Sequence, residues 1–165
     1  DVSEKRLANL KQRLKRSGAS NITMQRINNE NDIKIKRLKG KFDRVLVDAP
    51  CTGLGTLRRN PDLKWKHNEI SLNELICKQD AILNSASNLC KVGGYLVYAT
   101  CSILKDENEN QVENFIKKNI NFRVISQSSI MARYKIKVGN SKYLKLNSLD
   151  NNTDCFFGVV LERVK

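Results

Sequence analysis

Two short apolar segments, each followed directly by polar residues and a cysteine, constrain the fold of this chain more than any other feature. The first covers residues 43–48 and leads into Asp48-Ala49-Pro50-Cys51, and the second covers 95–101 and ends in Ala99-Thr100-Cys101. Apolar runs of this kind are typical of parallel strands buried on both faces. Residues 71–90, between them, carry apolar side chains at helical spacing, so the sequence predicts a strand–helix–strand unit.

The rest of the chain continues this alternation of helices and strands. Leucines at helical spacing predict a helix over 3–17, and first-turn acids with last-turn lysines predict another over 106–118. Strands are predicted over 21–27, 122–126 and 156–162, and loops over 28–41, 49–68 and 127–155. This order is typical of an open, mostly parallel α/β sheet, and we expect residues 1–165 to belong to one domain.

The two central strands predict where ligands would bind. Open α/β sheets bind ligands beyond the carboxyl ends of their strands. Strands joined by a single helix are usually neighbours, about 5 Å apart. We therefore expect Asp48, Cys51 and Cys101 to converge on one cleft.

Charge is distributed unevenly along the chain, which has a net charge of +13. Residues 1–44 hold 13 Lys/Arg against 5 Asp/Glu, and residues 120–165 hold 8 against 3, whereas residues 45–119 balance at 9 and 9. Two basic flanks around a neutral centre suit a polyanion held at its phosphates. Charge alone also fits lysine-rich helix faces in contact with solvent, so both interpretations stay open.

Cysteine usage and hydropathy argue against several classes of protein. The five cysteines form no Cys-x-x-Cys pair and His67 is the only histidine, so we expect no metal site. Scattered, odd-numbered cysteines without an export signal favour a reducing cytoplasm. No apolar run reaches the roughly 18 residues that a membrane-spanning helix needs, and we expect no membrane association.

Asp48, Cys51 and Cys101 are residue types that methylation of cytosine at C5 requires. C5 is a poor nucleophile, but a thiolate that adds at C6 makes C5 enamine-like. An acid can hydrogen-bond ring nitrogen N3, and a further group must assist release of the product. Taken singly, these residues have plainer roles open to them: Cys101 as a core thiol and Asp48 as a loop cap.

Three longer segments make the interpretation more specific. They are FDRVLVDAPCTGLGTLRRNPDLKW (42–65), GGYLVYATCSILKDENENQV (93–112) and DCFFGVVLERV (154–164), with Gln79 and Leu83 as a Gln-x-x-x-Leu pair in the helix between the first two. Together they resemble the RNA 5-methylcytosine methyltransferases of the Sun type, which act on ribosomal and transfer RNA. The resemblance covers almost the whole chain; Cys155 stands where the closing Asp-Gly-Phe-Phe motif has glycine.

The resemblance implies a fold and a role for each of three residues in the reaction. The fold is a Rossmann-like S-adenosylmethionine-dependent methyltransferase domain of strand order 3-2-1-4-5-7-6, here lacking its first strands and exposing strand 4 as an edge. The thiol of Thr-Cys-Ser, Cys101, is the nucleophile that forms a covalent bond to C6. Cys51 helps to release the product, and Asp48 lies at the methyl donor and the target base.

The resemblance also implies S-adenosylmethionine as cofactor. By this resemblance, Asp1 matches the acid that binds the cofactor ribose. Asn29 falls near the next cofactor-contacting position, where the family has Asp. Asp48 and Pro50 are the other two expected cofactor-binding residues. The glycine-rich loop that holds this cofactor is absent from the sequence. The chain also lacks an initiator Met, so we expect a fragment with a missing N-terminal half as a possible partner. Calorimetry on isolated 1–165 is expected to show weak cofactor binding or none.

Four residues after the first motif are candidates for RNA contact: Arg58, Arg59, Lys64 and Trp65. Basic side chains can bind phosphates and an aromatic ring can stack on a base. The alternative is a basic loop folded over the cleft, with Trp65 in the core. Three functions are compatible with the sequence. The first is methylation of cytosine C5 in RNA, with ribosomal RNA favoured over transfer RNA as substrate. The alternatives are an inactive RNA-binding fragment and a DNA cytosine-5 methyltransferase.

Overall fold

A computed structural model of the chain describes residues 1–136 and 141–165. The helices are α1 (Glu4–Ser17), α2 (Ile33–Lys36), α3 (Leu63–Lys66), α4 (Glu69–Ser87), α5 (Glu109–Lys118) and α6 (Gln127–Arg133). The strands are β1 (Phe42–Asp48), β2 (Cys90–Thr100), β3 (Phe122–Ile125), β4 (Leu144–Leu146) and β5 (Phe156–Arg163). Two 3-10 turns, Leu54–Thr56 and Lys105–Glu107, follow the ends of β1 and β2.

One mixed sheet organises the fold. Its strand order is β1-β2-β5-β3, with β4 added to β5. β1 and β2 are parallel, and β5 runs antiparallel to β2, β3 and β4. The path corresponds to strands 4-5-7-6 of the expected order, which confirms the predicted α/β fold class and the predicted strands in 43–48, 95–101, 122–126 and 156–162.

The core lies between the sheet and the helices α4 and α5. Leu83 of α4 and Phe115 of α5 are fully buried with Leu96 of β2 and Leu161 of β5. α4 begins at Glu69, two residues earlier than predicted, because Asn68 and Ser71 form a capping box that ends the preceding loop. The buried helices hold the β1–β2 pair in place, and the candidate site lies at the carboxyl end of this pair.

The predicted strand over 21–27 is wrong. The segment forms no regular secondary structure, and its backbone pairing is limited to Ile27 N–H donating to the Asp1 carbonyl (3.2 Å) and the Asp1 amine donating to the Gln25 carbonyl (3.1 Å). Alternating side chains predict which face of a strand is apolar, but a strand also needs a neighbouring backbone to pair with. No strand in the described ranges lies beside this segment, so it stays irregular.

Three predicted loops contain short regular elements. α2 lies in 28–41, α3 and a 3-10 turn lie in 49–68, and α6 and β4 lie in 127–155, of which 137–140 fall outside the described residues. These elements are three to seven residues long. Periodicity cannot be recognised over so few positions.

β1 forms an open edge of the sheet. It pairs with β2 on one side only, and the Leu46 side chain is 68% exposed. Unpaired edges with apolar side chains can pair with other chains. As for the membrane, none of the helices in the described ranges is long and apolar enough to span one.

Candidate active site

The parallel pairing of β1 and β2 brings two thiols together. Asp48 lies opposite Ala99 in the register, so the chain leaves both strands at the same level of the sheet. Beyond that point the sulfur atoms of Cys51 and Cys101 are 3.4 Å apart, and both residues are half-buried. This separation is within hydrogen-bonding range for sulfur, and no disulfide bond joins the two cysteines.

The two thiols differ in their surroundings. Burial, and then the hydrogen bond with the Cys101 sulfur, raise the pKa of the Cys51 thiol to about 12. Because this pKa lies far above neutrality, Cys51 keeps its proton and can donate it toward the Cys101 sulfur. Either sulfur can donate the hydrogen bond that joins the pair.

A buried carboxylate lies beneath the two cysteines. The Glu107 side chain is 0% exposed and accepts four hydrogen bonds. Its Oε1 accepts from the backbone N–H of Thr52 (2.8 Å) and from Gln79 Nε2 (2.9 Å). Its Oε2 accepts from the hydroxyls of Thr52 (2.6 Å) and Ser102. Thr52 follows Cys51 and Ser102 follows Cys101, so one side chain contacts both cysteine loops.

Asn108 supports the Cys101 loop from the other side. Its side-chain oxygen accepts a hydrogen bond from the Thr100 hydroxyl, and its Nδ2 donates to the Ser102 carbonyl at 2.9 Å. Both neighbours of Cys101 are thus held by the residue that follows Glu107. The two hydrogen bonds hold the backbone on both sides of Cys101.

Gly55 joins the first cysteine loop to two other segments. Its N–H donates to the Cys101 carbonyl (2.9 Å), and its own carbonyl accepts from the Cys155 N–H (3.0 Å). A Cβ atom at Gly55 would lie 2.6 Å from the Cys155 carbonyl oxygen and 2.7 Å from that of Cys101. Only glycine fits between these two carbonyls.

Asp48 is exposed at the end of β1 and lines a groove of about 510 Å³. Asp1 and Pro50 line the same groove, so three of the four predicted cofactor residues share one surface. Asn29 is not among the lining residues; its side-chain oxygen accepts from the Asn31 N–H (2.8 Å), whereas Glu30 lines the groove and pairs with Lys78 (2.8 Å).

The groove suits part of S-adenosylmethionine. The Asp1 carboxylate accepts the Ser3 N–H at 2.7 Å through Oδ1, and its other oxygen lies 3.9 Å from Arg6, beyond hydrogen-bond range. A carboxylate with an available oxygen is a suitable acceptor for sugar hydroxyls. The residues present therefore fit the ribose end of the cofactor.

The four candidate RNA contacts follow Cys51 on the protein surface. Trp65 is 81% exposed, which rules out the alternative that placed it in the core. The Lys64 ammonium lies 4.7 Å from the centre of the Trp65 ring. Arg58 is exposed, and Arg59 forms a salt bridge with Asp154 (2.6 Å).

Sequence reasoning singled out the cysteines but gave no role to the residues that hold them. Gln79 and Glu107 lie within the recognised motifs, and Thr52 and Ser102 directly follow the two cysteines. The available signals are the Gln-x-x-x-Leu pair and the sequence Glu107-Asn108-Glu109 in the second motif, because polar residues that recur in a motif beside buried elements indicate a buried hydrogen-bond network. Within the described residues, no three His, Cys, Asp or Glu side chains cluster as metal ligands would.

Comparison with known proteins identifies curated relatives of this chain. The chain is 41% identical over 131 residues to the ribosomal RNA small subunit methyltransferase B of Enterobacter sp. (strain 638), a match covering 73% of this chain and 28% of that protein. The namesake protein of Klebsiella pneumoniae (strain 342) is 40% identical over 121 residues, covering 72% and 27%. The chain thus spans less than a third of these curated relatives.

A solved structure and a family model extend the match to nearly the whole chain. The crystal structure of NSun6 from Pyrococcus horikoshii with SFG superposes with a TM-score of 0.82 at 29% identity, covering 100% of this chain and 40% of that one. The family model described as 16S rRNA methyltransferase RsmB/F matches residues 1–162. The predicted resemblance to Sun-type enzymes is confirmed, and the chain belongs to the 16S rRNA methyltransferase RsmB/F family.

Proposed function

We propose that this chain carries the catalytic thiols of an S-adenosylmethionine-dependent methyltransferase that modifies cytosine C5 in RNA. The observation that carries the proposal is the Cys51–Cys101 pair, with sulfurs 3.4 Å apart where β1 and β2 end. Asp48 ends β1 at the same edge of the sheet. A nucleophile, a proton donor and an acid are the groups that the reaction requires.

Cys101 acts as the nucleophile in this proposal. Its thiolate adds to C6 of cytosine, the electron pair of the C5–C6 double bond shifts to C4–C5, and the C4–N3 pair moves onto N3, which Asp48 hydrogen-bonds. C5 then has the electron density to accept a methyl group, which S-adenosylmethionine supplies when bound. A base from solvent takes the C5 proton, the electron pair of the C5–H bond restores the C5–C6 double bond, and the C6–S bond breaks to release the Cys101 thiolate.

Cys51 assists the last step. Because its pKa is raised to about 12, it holds a proton at neutral pH, 3.4 Å from the sulfur that must leave. A hydrogen bond from Cys51 stabilises the departing thiolate of Cys101. The same property makes Cys51 a poor nucleophile at neutral pH, since the thiolate is the reactive form.

Ribosomal RNA is the substrate we favour over transfer RNA, because the relatives from Enterobacter and Klebsiella are named for the small ribosomal subunit. Exposed Trp65, with Lys64 above its ring, offers a surface for base stacking. SFG, an analogue of S-adenosylmethionine, accompanies the Pyrococcus structure and supports the choice of cofactor. We place the protein in the cytoplasm, where thiols stay reduced.

Trapping with 5-fluorocytosine tests the reaction, because fluorine at C5 blocks proton loss and leaves the covalent adduct in place. The chain, alone and supplemented with the part of the Enterobacter relative outside the matched region, is incubated with 5-fluorocytosine RNA and cofactor. We expect a denaturation-resistant protein–RNA band that disappears in Cys101→Ala and persists in Cys51→Ala. Mass spectrometry of the trapped peptide identifies the modified residue.

Two other outcomes overturn the proposal. Loss of the adduct in Cys51→Ala alone, with DNA accepted as substrate, identifies a DNA cytosine-5 methyltransferase. RNA binding without any adduct in the supplemented mixture identifies an inactive RNA-binding fragment.

A further inference from the structure

We propose that Glu107 is the positioning residue that fixes the Cys51–Cys101 separation, acting through Thr52 and Ser102. The four residues Glu107, Thr52, Ser102 and Gln79 are called the Glu107 clamp below. Its importance for catalysis rests on the function proposed above, whereas the clamp itself can be measured without methyl transfer.

The clamp connects segments that lie far apart in the sequence. Thr52 is 55 positions from Glu107 and Gln79 is 28 positions from it, yet both donate to the same carboxylate. The Thr52 and Ser102 hydroxyls also lie 3.3 Å from each other. Each of these two residues is covalently bonded to one of the cysteines, so a shift of either loop moves one sulfur.

A single carboxylate, that of Glu107, can accept hydrogen bonds from both cysteine loops at once. An ionised carboxylate has about four acceptor positions and no donor. Glu107 receives four hydrogen bonds, two on each oxygen, and is completely buried. A buried carboxylate that is satisfied in this way resists displacement, because breaking any of the bonds leaves a polar group without a partner.

Gln79 is in turn fixed from two directions. Its Nε2 also donates to the Pro50 carbonyl (2.9 Å), and its Oε1 accepts from Gln111 Nε2 (3.2 Å). Gln111 further donates to the Ile76 carbonyl of α4 (2.7 Å). The clamp is therefore anchored on α4 and α5, the helices of the core, and not on the cysteine loops alone.

Replacing Glu107 separates the effect of hydrogen bonding from that of charge. Glu107→Gln removes the charge but keeps the shape: Oε1 still accepts from Thr52 N–H and Gln79, and Nε2 donates to the hydroxyls of Thr52 and Ser102, which can turn to accept. Glu107→Asp keeps the charge but withdraws the carboxylate by about 1.5 Å. Glu107→Ala removes both the charge and the hydrogen-bond acceptors.

Phenylarsine oxide measures the sulfur separation directly, because trivalent arsenic binds tightly only where two thiols can ligate it together. Two-point attachment gains about 10²-fold or more over a single thiolate. We expect wild type and Glu107→Gln to bind with similar affinity. Glu107→Asp and Glu107→Ala are expected to bind about 10²-fold more weakly as the two-point attachment is lost. Cys51→Ser provides the one-thiol reference.

A matched core variant controls for general loss of stability. Phe115→Leu shortens a fully buried side chain of α5 that takes no part in the clamp, and it should lower Tm while arsenical affinity stays unchanged. Full affinity in Glu107→Ala and Glu107→Asp contradicts a positioning role. Equal losses in Glu107→Gln and Glu107→Ala show that charge acts instead, and a loss in Phe115→Leu shows that only stability is measured; either result overturns the proposal.

The 5-fluorocytosine adduct distinguishes this inference from the proposed function. If the phenylarsine oxide affinities are as expected but the wild-type protein forms no 5-fluorocytosine adduct, the positioning role of Glu107 is supported and the methyltransferase proposal is wrong. If both hold, adduct formation should fall about 10²-fold in Glu107→Asp, the effect expected of a reacting atom displaced by about 1 Å.

Discussion

Alanine in place of Cys51 is expected to leave ordinary, unfluorinated RNA covalently attached to the protein. The attack by Cys101 does not need Cys51, but the departing thiolate loses the hydrogen bond that a protonated neighbour supplies at 3.4 Å. Addition therefore continues while release slows. Alanine in place of Cys101 removes the nucleophile, and turnover is expected to fall by at least about 10⁴-fold with no adduct.

Denaturing gel electrophoresis with labelled RNA, run alongside methyl-transfer assays on the supplemented chain, distinguishes the two variants. Cys51→Ala should show a strong shifted band and little methylated product in free RNA, whereas Cys101→Ala should show neither. Cys77→Ala is the control, because Cys77 is exposed on α4 outside the thiol pair and its loss should leave turnover unchanged. Normal product release by Cys51→Ala contradicts the role assigned to Cys51.

Alanine in place of Gly55 is expected to damage both the stability and the site. The added methyl group meets two carbonyl oxygens at 2.6 and 2.7 Å, and one of them belongs to Cys101. Both contacts are with backbone atoms, which cannot rotate away as a side chain can. Overpacking of this kind costs about 3 kcal/mol, and Tm should fall by roughly 6–12 °C.

Gly158→Ala provides the matched comparison for Gly55→Ala. Gly158 is also buried, but a Cβ there has no neighbour closer than 3.6 Å, an ordinary contact distance. We expect Gly158→Ala to unfold near the wild-type temperature and to bind phenylarsine oxide normally. Gly55→Ala should unfold earlier and bind it more weakly, since moving the Cys101 carbonyl also moves its sulfur. Equal Tm values for the two variants contradict this account.

The fold could be predicted where a segment carries its own pattern. Short apolar runs precede Asp48 and Cys101, and the acid and the thiols fall at the strand ends, so the sheet and the position of the site at the carboxyl ends of its strands could be predicted. The segment 21–27 has the alternation of a strand but no partner strand in the described ranges. Its prediction failed because pairing depends on the neighbour and not on the segment.

The candidate site could be predicted only in part, because its supporting contacts are long-range. Cys51 and Cys101 were recognisable from the residues beside them. The contact of Glu107 with Thr52 spans 55 positions, and nothing near either residue indicates it. The exposure of Trp65 was likewise open, since a tryptophan that stacks on a ligand and one that fills a core look alike in sequence.

The contact of Gly55 with Cys101 and Cys155 also affects when the site forms during synthesis. Residue 155 emerges from the ribosome about a hundred residues after residue 55, and β5 must then insert between β2 and β3. Contacts between such distant residues form slowly, because loop closure precedes the stabilising contact. The Gly55 loop beside Cys101 therefore gains its last backbone contact only after residue 155 is made: a nascent or truncated chain that ends before β5 has the Gly55 N–H for the Cys101 carbonyl but lacks the Cys155 N–H that donates to the Gly55 carbonyl.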